Sequence, residues 1–466
     1  MSLVVLDPLD PCPLVQQIVI AVGRHLDAGT LRPGTRLPSI RQFARDHGVS
    51  RFTVVEAYDR LVAMGRIHSR RGSGFYAAAA RTPALGASCH LDRAMDTLWL
   101  LHQALVGGEG ASMPGVGWLP ASWMDAAALQ RALRQISRRG DSFLTGYGIP
   151  AGYMPLRQHV QTRLASLGLA AELDQILLTR GATHALDLIA RSILVTGDTV
   201  LVDDPGYFIL FGALKALGLR LVGVPWREDG PDVAALARLV AVHRPKAFFT
   251  NTVLHNPTGA SISLEVAHQV LRIAEESDLL IVEDDVYGDF HPGHPPRLAT
   301  LDQLRRVIYV GSFSKTISAS ARVGFIACRA ELTRPLVDLK LLSGLTTSEI
   351  DERLVYQLLI NGQYRKHMNR LHQRLEEARW TLTDRLKDLG LQLPMLPEGG
   401  MFLWADASHL GDVAVLAREG ALAGVTLAPG YLFRPQHEPT PWLRFNVAST
   451  GPACLALIAG WAARAR

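Results

Sequence analysis

The chain has 466 residues, 48% of them hydrophobic, and a formal net charge of only +5. That length admits two to four domains with large buried cores, and so small a charge excludes a blanket basic field, leaving any nucleic-acid surface local. The four cysteines, Cys12, Cys89, Cys328 and Cys454, form no C-x-x-C pair, so neither a disulfide framework nor a metal site is expected. The early apolar residues are broken by Asp7, Pro8, Asp10 and Pro11 without a basic n-region or small-residue cleavage site. No signal peptide or membrane span is expected, and a cytoplasmic location follows.

From Pro13 to Gly29, Val15, Ile18, Val19, Val22 and Leu26 recur at three- and four-residue spacing, which predicts an amphipathic helix. A second, short helix is predicted from Ser39, where Ser39-Ile40-Arg41-Gln42 has the form of a capping box after Pro38. It carries Phe43 and Ala44 inward and ends near His47-Gly48. A third begins at Ser50 and runs through Arg51, Thr53, Val54, Ala57, Tyr58, Leu61 and Val62 to Gly65. Two helices joined by a tight glycine-containing turn make a helix-turn-helix. Residues Ile67 to Tyr76 then alternate into two short strands around a glycine-rich tip, a wing.

Residues 1–80 hold ten arginines against six acidic residues, a net +4 that is nearly the whole excess of the protein. Arginine suits phosphates and guanine edges. The runs Leu37-Pro38-Ser39-x-Arg41, Val49-Ser50-Arg51-x-Thr53-Val54 and Arg71-Gly72-Ser73-Gly74 resemble the winged-helix repressors of the GntR family. The resemblance implies a small α+β winged helix-turn-helix domain over residues 1–78 that binds double-stranded DNA. Arg36, Ser39, Arg41, Ser50, Arg51 and Thr53 would contribute from the helical part, and Arg71 with Gly72 from the wing. Phe52 stands where many members have a small polar residue. One such module covers little DNA, so operator binding calls for two copies at fixed spacing.

Residues 79–112 have the Ala, Pro, Gly and Ser bias of a linker. Within them Leu91 to Val106 is read as a short amphipathic helix whose apolar side, Met95, Leu98, Leu101 and Leu105, packs on the domain that follows.

Residues 113–466 alternate β-like apolar runs with helical patterns: Leu177-Leu178, Thr199–Val202, Leu221–Val224, Ala247–Thr250, Leu279–Val282, Val307–Val310 and Gly324–Ala327. That alternation implies a three-layer α/β domain with its site at strand ends. Lys315, one of only six lysines among 48 basic residues, sits just past one such run, between Ser312 and Ser314 on one side and Arg322 on the other. A Schiff base needs an amine, which guanidinium cannot supply. Tyr147, the Gly181-Ala182-Thr183 helix start, Asp204-Pro205-Gly206-Tyr207, Asn256-Pro257-Thr258-Gly259 and Asp284-Asp285-Val286-Tyr287 precede it in order.

These stations resemble the pyridoxal-phosphate-binding fold-type I aminotransferases. The resemblance implies a large α/β aminotransferase-like domain with a small C-terminal α+β subdomain and pyridoxal 5'-phosphate as cofactor. In it Lys315 is the Schiff-base lysine, Asp284 pairs with the ring nitrogen, Asn256 and Tyr287 donate to the phenolate oxygen, and Tyr207 stacks on the ring. Gly181, Ala182, Thr183, Ser312, Ser314 and Arg322 receive the phosphate, with Tyr147 arriving from a second subunit. Arg444, inside the apolar run Trp442–Asn446, would clamp the carboxylate of an effector.

A winged helix fused ahead of such a domain resembles the MocR-type branch of the GntR regulators over nearly the whole chain. The implied function is a homodimeric transcriptional regulator that senses pyridoxal phosphate, alone or as an external aldimine with an amino acid or amine. The alternative is an aminotransferase with an accessory DNA-binding domain. The residues leave open whether transaminase turnover remains, which effector is bound, and whether the target is activated or repressed.

Overall fold

The computed structural model describes residue 6 and residues 13–27, 30–31, 34–64, 66–70, 73–78, 97–106, 112–138 and 142–465. The chain divides into two compact units, Met1–Cys89 and His90–Arg466.

In the first unit, α1 (Leu14–Asp27), α2 (Ile40–Asp46) and α3 (Arg51–Ala63) precede a hairpin of β1 (Ile67–Arg70) and β2 (Gly74–Ala77). Ile18, Val19 and Val22 of α1 are buried with Phe43 of α2 and Val54, Ala57, Tyr58 and Leu61 of α3. Tyr58 locks this core, donating to the Pro38 carbonyl at 3.0 Å and meeting Phe43 and Phe75 edge-on. Ser39 and Ser50 are the N-caps of α2 and α3, their hydroxyls accepting from the amides of Gln42 at 3.2 Å and Thr53 at 3.0 Å. Only the serine half of the expected capping box is present, and the Gln42 side chain donates through Nε2 to Asp46 at 2.7 Å, one helical turn on.

The second unit is built on an eight-stranded sheet whose strands are β3 (Ile176–Thr179), β4 (Thr199–Asp204), β5 (Arg220–Arg227), β6 (Gly230–Pro231), β7 (Ala247–Thr250), β8 (Leu280–Asp284), β9 (Val307–Ser312) and β10 (Gly324–Ala327). Their spatial order is β3-β10-β9-β8-β7-β4-β5-β6. From β9 through β8, β7 and β4 to β5 the neighbours run parallel, whereas β10 is antiparallel to both β3 and β9. The continuous apolar runs are explained by burial on both faces. Leu178, Leu201, Phe248 and Ile281 pack into the core on one side, and their chain neighbours Leu177, Val202, Phe249 and Val282 into the core on the other. The parallel strands therefore deliver the residues that follow them to one edge, the usual place for a ligand site in such sheets.

A smaller antiparallel sheet, β11 (Phe402–Asp406), β12 (Ala428–Pro429) and β13 (Trp442–Asn446), has the order β11-β13-β12. The helices Gln363–Asp388 and Pro452–Ala465 pack on it. The helix inside the expected linker runs from Thr97 to Val106. It buries Leu100 in the core of the second unit, with Leu101 packed alongside, whereas Leu105 is 75% exposed, so the apolar side read from the sequence is rotated. Met95 lies outside the described residues. No helix among the described residues is long and apolar enough to cross a membrane.

Candidate functional site

At the carboxyl edge of the large sheet, one cavity is lined by Ala182, Thr183, Tyr207, Asn251, Asn256, Asp284, Tyr287, Ser314, Lys315 and Arg322. Each comes from a segment that ends or follows a strand or opens a helix. Lys315 follows β9 and is half-buried; its Nζ donates to the Gly117 carbonyl at 2.6 Å and lies 5.8 Å from the centre of the Tyr287 ring. Burial, with the nearby Arg444 charge, pulls its pKa down to about 8 despite the opposing pull of Asp284.

Of Asp284, which ends β8, and Asp285, which follows it, Asp284 is the one that lines the cavity. Asp285 is held by Arg297 and by the Tyr309 hydroxyl, each at 2.5 Å. Asp284 is buried, and its Oδ1 has no hydrogen-bond partner. Burial and the neighbouring Asp285 push its pKa up to about 7, against the lowering effect of Lys315. An unsatisfied carboxylate oxygen in such a place is costly unless a donor arrives.

The opposite end of the cavity is arranged for an anion. Helix Gly181–Ile193 starts here, so its first amides have no partner within the helix. Gly181 has φ +78°, and a Cβ on it would lie 2.7 Å from Nη2 of Arg322. Glycine is thus favoured by the backbone, and a Cβ would push aside the guanidinium lying against it. Arg322 donates to the Ser314 hydroxyl at 3.2 Å and to the Arg180 carbonyl at 3.4 Å. Tyr207, whose hydroxyl is paired with Thr183, has its pKa raised to about 12 by burial. Ser312 does not line the cavity; its hydroxyl donates to the Val323 carbonyl at 3.3 Å and accepts the Ser314 amide at 3.2 Å, which shapes the turn carrying Lys315. Tyr147 is 83% exposed and does not line the cavity of its own chain.

Arg444, from β13, is 2% exposed. Its Nη1 donates to Asn256 Oδ1 and its Nη2 to the Gly115 carbonyl, both at 2.6 Å, and its guanidinium lies between the rings of Phe402 and Phe433 at 4.4 and 4.7 Å. Among the described residues no carboxylate pairs with it, and burial lowers its pKa to about 10. A buried cation without a counter-ion is poised for an anionic group. Sequence reading missed Asn251, Gly115 and Gly117. Asn251 had a usable signal, as the polar residue directly after β7; its Nδ2 donates to the Asp284 carbonyl at 2.6 Å. The Gly115 and Gly117 carbonyls had none, because only returns of the chain after 329 and 198 residues bring Arg444 to the first and Lys315 to the second.

In the first unit, Arg36, Arg41 and Arg51 are exposed and Thr53 is half-buried. Arg36 bridges to Tyr76 of β2, which sets it beside the hairpin. The hydroxyls of Ser50 and Thr53 are 2.8 Å apart, so both serine candidates act first as helix caps. Phe52, on the first turn of α3, is 76% exposed. Arg71 and Gly72 lie outside the described residues.

Residues 120–458 match the family described as aminotransferase class I and II. The chain belongs to that family. Residues 14–77 match the bacterial regulatory proteins of the gntR family, so this aminotransferase-family chain carries a GntR helix-turn-helix domain at its head. The uncharacterized HTH-type transcriptional regulator YdfD of Bacillus subtilis is 28% identical over 94% of this chain and 92% of its own length. YdcR of Escherichia coli, described in the same words, is 27% identical over 93% and 94%. The HTH-type transcriptional regulator NorG of Staphylococcus aureus is 25% identical over 85% and 92%. Among solved structures, the α-aminoadipate aminotransferase LysN of Thermus thermophilus, complexed with N-(5'-phosphopyridoxyl)-L-leucine, aligns with a TM-score of 0.71. It is 26% identical and covers 78% of this chain and 95% of its own. An archaeal alanine:glyoxylate aminotransferase shares the fold, with a TM-score of 0.73 at 23% identity over 80% and 95%.

Proposed function

We propose that this protein is a pyridoxal-phosphate-dependent transcriptional regulator whose aminotransferase-like domain senses the cofactor together with an amino compound. The reading rests on one observation above the others: Asp284 with its unpaired oxygen, the Lys315 amine and Arg322 line one cavity, Gly181 backs Arg322, and Arg444 bonds the lining residue Asn256, in a chain that opens with a GntR head. The residues fit pyridoxal phosphate, and LysN, which shares this fold, was solved with a phosphopyridoxyl compound.

Bound there, the cofactor supplies an electrophilic carbonyl carbon conjugated to an electron-withdrawing ring. The chain supplies everything around it. Lys315, with its pKa near 8, presents a substantial fraction of neutral, nucleophilic amine at physiological pH. Asp284 offers Oδ1 to an N–H, and a donor there stabilises its ionised form. Arg322, the Thr183 hydroxyl and the first amides of helix Gly181–Ile193 hold a phosphate, Ser312 and Ser314 fix the turn beside it, and Asn256 and Tyr287 line the side nearest Arg444. Arg444 seats the carboxylate of the incoming amino compound.

A homodimer completes the arrangement. Tyr147 and Ile149 are exposed on a turn that packs against residues 346–349, beside exposed Leu342 and Leu345. This apolar patch suits a second copy, which would bring its Tyr147 to the neighbouring site and pair two DNA-reading heads. Arg36, Arg41, Arg51 and Thr53, with Arg71 and Gly72 of the wing, contact the operator, and the protein acts in the cytoplasm.

The test is binding of the full-length protein to a DNA fragment from its own gene neighbourhood, read by fluorescence anisotropy across salt concentrations. Affinity should fall steeply with salt, and Arg51→Ala should weaken binding by about 1–3 kcal/mol. No binding at low salt, combined with sustained turnover of an amino acid and an oxo acid, would replace the regulator by an enzyme.

A further inference from the structure

The second unit holds another cavity, of about 450 Å³, walled in part by Asp204, Pro205 and Thr258 of the turns that carry Tyr207 and Asn256. It opens between the large sheet and the small one. The large sheet contributes Trp226 from β5, and the small sheet Trp404 from β11 and Trp442 from β13. A space of that size matches small-molecule sites, and three of the chain's eight tryptophans stand in its wall.

The indoles are held in place. Trp404 and Trp442 are parallel, with centroids 5.5 Å apart and planes within 5°. Trp226 is stacked on His255 at 4.0 Å with its plane within 2°, and its buried Nε1 has no hydrogen-bond partner.

The charges around the cavity are mostly paired. Arg434 is paired with Asp204 at 2.6 Å and lies 3.8 Å from Glu438, while Arg227 is paired with Asp232 at 2.5 Å. Glu228, also in the wall, makes no ion pair among the described residues. Within the wall, Arg227 and Arg434 stand with Asp204 and Glu228; both arginines are also paired with carboxylates outside it, Asp232 and Glu438, so Glu228 is the wall carboxylate left without an ion pair among the described residues. Indole faces with a free carboxylate are the combination that receives an organic cation.

We propose that this cavity is a second small-molecule site, specific for an aromatic organic cation, with its ring against Trp404, Trp442 and Trp226 and its ammonium group toward Glu228. The site adjoins the proposed effector clamp. Trp404 lies directly opposite Arg444 in the β11–β13 pairing and meets Phe433 edge-on at 5.5 Å, and the face of Phe433 carries the Arg444 guanidinium. A ligand stacked on Trp404 therefore presses on the ring that positions Arg444.

The probe is benzyltrimethylammonium, which has no N–H and cannot condense with the cofactor at Lys315, so the result is independent of the amino-compound reading. Binding to the full-length, pyridoxal-phosphate-loaded protein is followed by titration calorimetry, with benzyl alcohol as the neutral counterpart. Saturable binding of one probe per chain is expected. Glu228→Gln, at an exposed position, should weaken the cation about 3- to 10-fold and leave benzyl alcohol unchanged. Trp442→Ala should weaken both at least about tenfold, and Trp442→Phe, which keeps a ring face, should restore most of the affinity. Absence of saturation at about 10 mM probe, wild-type titrations for Glu228→Gln and Trp442→Ala, or equal loss of cation and alcohol in Glu228→Gln would each overturn the proposal.

Discussion

Replacing Arg444 by methionine separates the fold from the proposed effector clamp. The substitution leaves the Asn256 side-chain oxygen and the Gly115 carbonyl without their donors, at a cost of about 1–3 kcal/mol each. It also removes the cation held between Phe402 and Phe433. Against this, a guanidinium that faces no carboxylate is no longer desolvated, which returns several kcal/mol. The opposing contributions are of similar size, so the unfolding free energy should move by no more than about 2 kcal/mol. Ligand binding has no such compensation. A carboxylate that loses its buried cationic partner forfeits about 2–5 kcal/mol, or roughly 30- to 4,000-fold in affinity. The assay is an absorbance titration of the pyridoxal-phosphate-loaded protein with amino acids and with the corresponding decarboxylated amines. The wild type should prefer the amino acids, and Arg444→Met should lose that preference while holding the cofactor within about threefold. If the variant keeps its preference, or releases cofactor and amino acid in equal measure, the clamp is wrong.

Gly181→Ala places a Cβ 2.7 Å from the Arg322 guanidinium at a φ of +78°. Strain of about 1–3 kcal/mol should weaken pyridoxal phosphate binding by roughly 5- to 150-fold, measured by equilibrium dialysis, with thermal stability of the head unchanged. Capture of the cofactor needs the neutral amine of Lys315, and with its pKa lowered to about 8 the neutral fraction rises through that pH. The stopped-flow rate of cofactor uptake should therefore climb from pH 7 and level off above pH 9; a rise still under way at pH 10 would show that burial does not tune this lysine. Asp284 behaves oppositely as a stability term. With its folded pKa raised to about 7, its contribution is fully present below the unfolded value near 3.8 and is lost as pH rises through 7. Cofactor-free Asp284→Asn should accordingly lose less stability between pH 4 and 7 than the wild type in denaturant titrations, and identical slopes would refute the burial argument.

The sequence by itself determined what depends on near neighbours along the chain. Helix starts at Ser39 and Ser50 follow from side chains that reach amides three residues on. Strands β3, β4, β5, β7, β8, β9 and β10 follow from apolar runs, whereas the two-residue β6 had no such signal. Lys315, Asp284 and Gly181 could be picked out because their residue types are chemically irreplaceable and each lies at a strand end or helix start. Tertiary structure decided what depends on distant returns of the chain. It showed that Asp285 is tied through one oxygen to Arg297 and Tyr309 while Asp284 lines the cavity. It gave Arg444 two hydrogen bonds and two aromatic faces but, among the described residues, no carboxylate. It also turned Leu100 rather than Leu105 into the core and gathered three tryptophans from two sheets around one cavity. Local pattern specifies which way a side chain faces within its own element, but whether a buried charge meets a counter-ion or an empty space depends on residues hundreds of positions away, and only packing brings them together.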